Sequence, residues 1–271
     1  MVKAAAQPNA FAVLWQQRRL IVELTKREVL GRYRGANFGL LWSVFSPFLM
    51  LGVYSLAFGA VMKSNWPQPP GAHVSFSVIL FVGLIVHGLL AECMIRSPTL
   101  IAGNPNFVKR VVFPLETLSC STVGSAAFHA LANLLVLGLM MIVTGTHLPW
   151  TFLLAPLILL PLVLMCLGVS WFFASLGVYF RDLGQITGVI ATALLFLSSA
   201  IVPMANLSPQ LQSVFHLNPL TFIIDQEREV TLWGNLPDWW GLGLFFLASI
   251  LVAWAGLTWF RFTRRGFADV L

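Results

Sequence analysis

Few residues of this chain are of types that do chemistry, and their spacing excludes most of it. No Gly-x-x-x-x-Gly-Lys-Ser/Thr segment occurs, so the chain has no P-loop to cradle nucleotide phosphates. Five histidines, at positions 73, 87, 129, 147 and 216, show no metal-ligand spacing. Cys93, Cys120 and Cys166 lie in or beside apolar runs without pairing or ligand spacing, and read as small buried hydrophobes. Among the acids, Glu92 alone falls well inside an apolar stretch, near its end, and Arg96 follows one helical turn later, so the two can pair. A carrier coupled to protons or ions needs ionisable groups at mid-membrane. Their near absence here implies that any driving energy comes from outside the chain.

The setting of these residues follows from composition. Of 271 residues, 58% are hydrophobic and 10% charged, and the mean hydropathy is +0.84. A soluble domain carries roughly 25% charged residues, so the expected class is an all-α integral membrane protein. A net charge of +6 alone would suit nucleic acid. The basic residues cluster beside apolar runs, however, where charge orients membrane proteins, and no nucleic-acid partner is expected. The first thirty residues are polar and charged, and nothing in them reads as a cleaved signal.

Periodicity then places the elements. Residues 1–10 form a tail and 11–34 a helix, with Val13, Leu20, Ile21 and Leu24 on one face and Arg19, Glu23 and Lys26 opposite. Glu23 with Arg27, and Glu28 with Arg32, are spaced to pair along it. This amphipathic helix is too polar to span and is expected flat at the membrane interface. At Gly35-Ala36-Asn37 the sequence turns apolar, and no charge returns until Lys63. Six spans are expected, at about 38–62, 74–95, 115–143, 151–179, 183–202 and 239–260. The 96–114 segment holds three prolines and at most a short helix around 106–112. The semi-polar 204–238 segment is expected to form short re-entrant helices. Of the 16 Lys and Arg residues, all but Lys63 and Arg228 then fall on the side of the two termini, which is therefore expected to be cytoplasmic. Trp66, Trp150, Trp239 and Trp240 fall near the opposite interface.

Aromatic residues are frequent in the spans. Phe45 and Phe48 share a helical face, as do Tyr54 and Phe58, and aromatic faces suit the apolar sides of sugars. His129 with Asn133, and Ser170 after Gly168, faintly suggest an intramembrane serine protease, although the usual nucleophile setting is missing. For His87 and His129 the simpler reading is structural.

The order of elements resembles the membrane subunit of ABC-2 type exporters for polysaccharides, the family of O-antigen, capsule and teichoic-acid permeases. The resemblance lies in TKREVLGRYRGANFGLLWSVFSPFLMLGVYSLAF (25–58), NPNFVKRVVFPLE (104–116), SSAIVP (198–203), NPL (218–220) with Arg228, and RRGFADVL (264–271). It covers nearly the whole chain. One departure is Val202, where the family often has Tyr before the proline of the fifth span.

The resemblance implies an ABC-2 (type V) exporter fold, with residues 1–34 as cytoplasmic tail and interfacial helix and 35–271 as the transmembrane domain. It implies a permease in the inner membrane of a bacterium, exporting a lipid-linked glycan of O-antigen type. Its partners would be a second copy of itself and two ABC ATPase subunits, which alone would bind ATP and Mg and do the enzymatic work. A drug or small-lipid exporter of the same superfamily is the alternative, and an intramembrane enzyme a remote one. Arg27, Asn104, Phe107, Lys109 and Arg110 would contact the ATPase. Tyr33, Arg34, Phe45, Phe48, Tyr54, Phe58 and Phe196 would border the substrate path, with Arg34 able to meet a lipid pyrophosphate by bidentate hydrogen bonds. Pro203, Asn218, Pro219 and Arg228 would belong to an outer gate.

Overall fold

The structure, a computed structural model, describes residues 14–61, 66–70, 74–109 and 113–270, and among these all regular elements are helical. The helices are α1 (Arg18–Arg32), α2 (Trp42–Tyr54), α3 (Phe76–Arg96), α4 (Pro105–Val108), α5 (Glu116–Val143), α6 (Ala155–Tyr179), α7 (Leu183–Phe196), α8 (Pro209–Leu217), α9 (Pro219–Arg228), α10 (Trp239–Thr263) and α11 (Phe267–Val270). Single turns of tighter or wider helix extend several of them, including a π-helical stretch at Ser55–Val61 after α2 and another at Glu229–Trp233 after α9.

Five helical segments are long and apolar enough to cross a membrane: Gly39–Phe58, Phe76–Thr99, Glu116–Val143, Trp150–Tyr179 and Trp239–Val270. The expected fifth span, 183–202, holds only the 14-residue α7. At 1.5 Å per residue that is about 21 Å, against a hydrocarbon core of about 30 Å. The helix stops six residues early because its last carbonyls are taken elsewhere. The Asn218 amide donates to the Leu194 and Leu197 carbonyls at 2.8 and 3.1 Å, and Ser198 Oγ donates to the Leu195 carbonyl. The expected helix around 106–112 is seen as α4, and 110–112 lie outside the described residues.

In lipid, apolar contact alone does not drive helices together, so close backbone packing and internal hydrogen bonds must. The tightest pairing here is α6 with α10, where Gly168 faces Gly256 beside Ala253 and Ser249. A Cβ on either glycine would run into backbone of the other helix. α3 is the hub, with 67% of its span buried against α5, α6, α7 and α9. Gly83 on α3 admits Ala200, which brings the turn after α7 onto the hub.

Two apolar cores result. One fills the bundle between α3, α5, α6 and α9. The second lies at the end carrying both described termini, where Leu24 of α1, Leu118 of α5, Trp171 and Val178 of α6, Phe260 of α10 and Phe267 meet. The Gly39–Phe58 span, which holds α2, is only 11% buried, and Leu51 is its buried member of the first core.

Candidate substrate path and coupling elements

At the terminal end, α1 lies along α5, with Thr25 seated on Gly124. This brings α1 charges to the end of α3. Arg32 Nη1 lies 3.1 Å from Glu92 Oε1 and 2.8 Å from His129 Nδ1, and Arg96 Nη1 lies 2.8 Å from the same Glu92 oxygen. Arg96 also pairs with Glu28, whose carboxylate accepts from Thr122 Oγ1. The predicted Glu92–Arg96 pair is present. The predicted Glu28–Arg32 pair is replaced by contacts across helices, because half-buried partners of opposite charge attract more strongly than a neighbour along an exposed helix face. Glu23 and Arg27 both face outward.

Tyr33 follows at the end of α1, its ring edge-on to His129 at 6.1 Å. Burial raises the Tyr33 hydroxyl above its ordinary value, Arg32 opposing, so it remains a neutral phenol. Arg34, beyond it, is exposed.

The segment between α3 and α5 is tied down at both ends. Pro98 rests on Gly177, and the Ser97 and Ser170 hydroxyls lie 2.7 Å apart. At the other end, Arg264 Nη1 donates to both Glu116 oxygens at 3.1 and 3.0 Å, Arg264 Nη2 donates to the Phe113 carbonyl, and Arg261 approaches the same carboxylate. The C-terminal Arg-Arg-Gly-Phe stretch thus clamps the segment that carries α4. Of the expected contact residues, Arg27 and Lys109 are exposed, while Asn104 donates from Nδ2 to the Leu100 carbonyl. Phe107 is half-buried, stacked on Phe113 at 4.3 Å in the second core, and Arg110 lies outside the described residues.

The expected path residues divide. Phe45 and Phe48 stand on the open face of α2, where Phe38, Trp42 and Phe45 form an aromatic cluster. Tyr54 and Phe58 begin a ladder that continues through Phe76 and Trp66, with ring separations of 6.5, 5.3 and 5.8 Å. It ends at Arg228, whose guanidinium sits 4.3 Å above the Trp66 ring. Phe196 is exposed on α7, separate from this ladder, in a shallow cleft with Gln185 and Thr192.

Arg228 organises the far end. Its Nε and Nη2 donate to the Ile79 carbonyl at 3.3 and 3.2 Å, Nη1 to the Ser199 carbonyl at 2.7 Å, and Nη2 to the Ala200 carbonyl at 3.0 Å. The guanidinium therefore fixes α9 to α3 and to the turn after α7. Burial lowers Arg228 to about 10, with Asp225, 3.7 Å away, opposing. Asn218 caps α9 by accepting from the Leu220 N–H while its amide holds the end of α7. Pro203 shares a cleft with Trp66 and Arg228, and Pro219 opens α9. All four expected gate residues thus gather around the end of α7. Glu227, next to Arg228 on α9, is fully buried, with neither carboxylate oxygen partnered among the described residues. Burial pushes its carboxyl well above the usual carboxylate range.

His129 and Ser170, the pair that suggests a protease, serve different neighbours: His129 faces Arg32 and Glu92, and Ser170 meets Ser97. His87 bonds the Ala191 carbonyl at 2.9 Å and joins α3 to α7. The three cysteines are free and buried. The sequence reading missed the bonds from Glu28 and Arg32 to α3, and the Glu116–Arg264 clamp. Glu116 could have been found, since it is the lone acid opening a long uncharged helix.

The chain is 26% identical to the O-antigen export system permease protein RfbA of Myxococcus xanthus, over 94% of this chain and 96% of that protein. It is 27% identical to a Klebsiella pneumoniae protein of the same name, over 93% and 95%. It is 24% identical to the polysialic acid transport protein KpsM of Escherichia coli, over 90% and 93%. The model of the ABC-2 type transporter family matches residues 19–232, from α1 through the far-end knot, and this multi-pass membrane chain belongs to that family.

Proposed function

We propose that the chain is the permease subunit of an ABC exporter that carries a lipid-linked polysaccharide, of O-antigen type, across the cytoplasmic membrane of a bacterium. The observation that carries this reading is the near end-to-end match to permeases named for O-antigen and polysialic acid export. Two copies form the pore. A separate ATPase, also in two copies, binds ATP and Mg and supplies the energy. Six spans, with α7 and the turns after it as the fifth, leave both termini in the cytoplasm, which agrees with the placement of the basic residues.

In this reading the terminal end rests on the ATPase through α1 and the α3–α5 segment, with Arg27, Asn104, Phe107, Lys109 and Arg110 as contacts. Arg34 meets the pyrophosphate of the lipid carrier beside Tyr33, and the α2 aromatics with Phe196 border the path. The knot of Pro203, Asn218, Pro219 and Arg228 holds the outer re-entrant helices.

Deleting the chain tests the function. Surface polysaccharide should be lost, lipid-linked polymer should accumulate inside, and a plasmid copy should restore export. Unchanged surface polysaccharide would overturn the reading. The purified chain should hydrolyse ATP only when its partner is added.

A further inference from the structure

A second feature of the far end has no part in the knot. Between the turn after α5 and the turn after α9 lies a cleft of about 600 Å³, walled by Thr144, Thr146, His147, Trp150 and Trp233. Its two loops are held in place. Gly145 and Gly234 both take left-handed backbone (φ 69° and 76°), and a side chain at Gly234 would press on Pro149. Beneath them the buried Thr151 hydroxyl donates to the Val230 carbonyl at 2.7 Å and pins one loop to the other. Trp150 is 68% exposed and Trp233 half-buried, and neither ring stacks on another aromatic among the described residues.

The lining has a consistent chemistry. It holds two indole rings, two threonine hydroxyls 2.9 Å apart and an exposed imidazole, with no lysine, arginine or carboxylate among the described residues. The volume lies within the range of small-ligand sites, about 300–1,000 Å³, where apolar and aromatic walls with a few polar groups fix a ligand's orientation. The neighbouring cleft is charged, with Asp225, Arg228 and Glu229, and Trp233 lines both. An uncharged partner with one apolar face and several hydroxyls fits the first cleft. The indoles take the C–H face and the threonine and histidine groups exchange hydrogen bonds with hydroxyls.

We propose that the Trp150–Trp233 cleft is a saccharide-binding subsite that engages uncharged sugar units of the polymer at the outer mouth, an inference that rests on the exporter reading above. An interfacial tryptophan belt is the competing role for Trp150. Leucine keeps the apolar character such a belt needs but removes the aromatic face, whereas phenylalanine keeps a face.

The test uses the full chain in lipid nanodiscs. The probe is the polysaccharide freed from its lipid by mild acid, taken from cells that carry the chain and labelled with a fluorophore, with dextran as competitor. Trp150→Leu should weaken polymer binding by about tenfold, the contribution of one aromatic face, and Trp150→Phe should stay close to wild type. Thr146→Val should weaken it by a few-fold and serves if the leucine variant does not fold. Wild-type affinity in both Trp150→Leu and Thr146→Val, or no binding by the wild-type chain, would overturn the subsite. The exporter reading fails on a different result, unchanged surface polysaccharide in the deletion strain. If deletion abolishes export while both variants bind and export as wild type, the subsite falls and the exporter stands.

Discussion

At the terminal end of the bundle, Glu92 sits among Arg32, Arg96 and His129, and Glu28 continues the chain of charges beyond Arg96. At the far end, Arg228 is met mainly by the carbonyls of Ile79, Ser199 and Ala200, while Glu227 beside it has no partner among the described residues. The first cluster joins side chains, and its arginines stay 44% and 36% exposed. The second joins one fully buried side chain to backbone. Long, partly wetted side chains exchange partners at small cost, because water replaces what is lost. A guanidinium bonded to three backbone carbonyls has no such freedom. The terminal end is thus built for partners to be exchanged, and the far end for fixed position. Under the proposed function, the terminal end would follow an ATPase and the far end would seal.

The largest expected effect breaks the far-end knot. Arg228→Met removes the donors to three buried carbonyls and should cost about 3 kcal/mol or more, read as a lower unfolding midpoint in detergent. Arg228→Lys should fall between, since an ammonium lacks the guanidinium fork. An unchanged midpoint for Arg228→Met would erase the contrast between the ends.

Glu227→Gln probes the same end by pH. The carboxyl is raised in the folded state, so its folded form is favoured at low pH. Stability falls as pH rises from the ordinary carboxylate range towards the raised value, by at most about 1.4 kcal/mol per pH unit. The glutamine variant should lose this contribution to the slope, matching wild type in acid and exceeding it above. Parallel profiles would show that Glu227 has a partner when folded.

Glu92→Gln should cost less, about 1–2 kcal/mol, because solvent reaches both arginines. A double-mutant cycle between Arg32 and Glu92 should give coupling of about 1 kcal/mol or below. Coupling of several kcal/mol would make the terminal cluster as rigid as the far one. The smallest effect on stability is expected from Lys109→Glu, within about 0.5 kcal/mol, while ATPase capture falls several-fold. Intact capture would remove Lys109 from the docking surface.

Much of the fold is legible in the sequence. The long uncharged run from Thr117 to Phe180, divided at Gly145 and Pro149, predicts two spans; α5 fills the first to within a residue, and α6 fills the second from Ala155, after a tighter turn at Trp150–Leu154. α7 is the exception: hydropathy extends the span to Val202, but the Asn218 amide ends the helix from 21 residues away. The short helices expected in the 204–238 segment are present as α8 and α9, and Asn218 caps the second.

Pairing is legible only where it is local. The one-turn spacing of Glu92 and Arg96 predicts their bond, and they meet at 2.8 Å. The same rule predicts Glu28 with Arg32 and fails, because docking of α1 on the bundle offers both residues better-buried partners. Phe107, placed by its motif on a docking surface, is half turned into the second core. A motif fixes where a residue lies along the chain and leaves the direction of its ring to packing.

By itself, then, the sequence determined which segments are apolar, where they break, on which side the basic residues gather and which family pattern they form. Those properties are set by runs of neighbouring residues, and hydropathy and helix capping read them directly. Tertiary structure decided the rest. It brought the Arg228 side chain to Ile79, 149 residues earlier, set Glu116 against Arg264 from the far end of the chain, and closed a cleft between Trp150 and Trp233. These contacts depend on which helix faces meet and how closely. Close approaches such as Gly168 against Gly256 set that, and they have no counterpart in the order of residues along the chain.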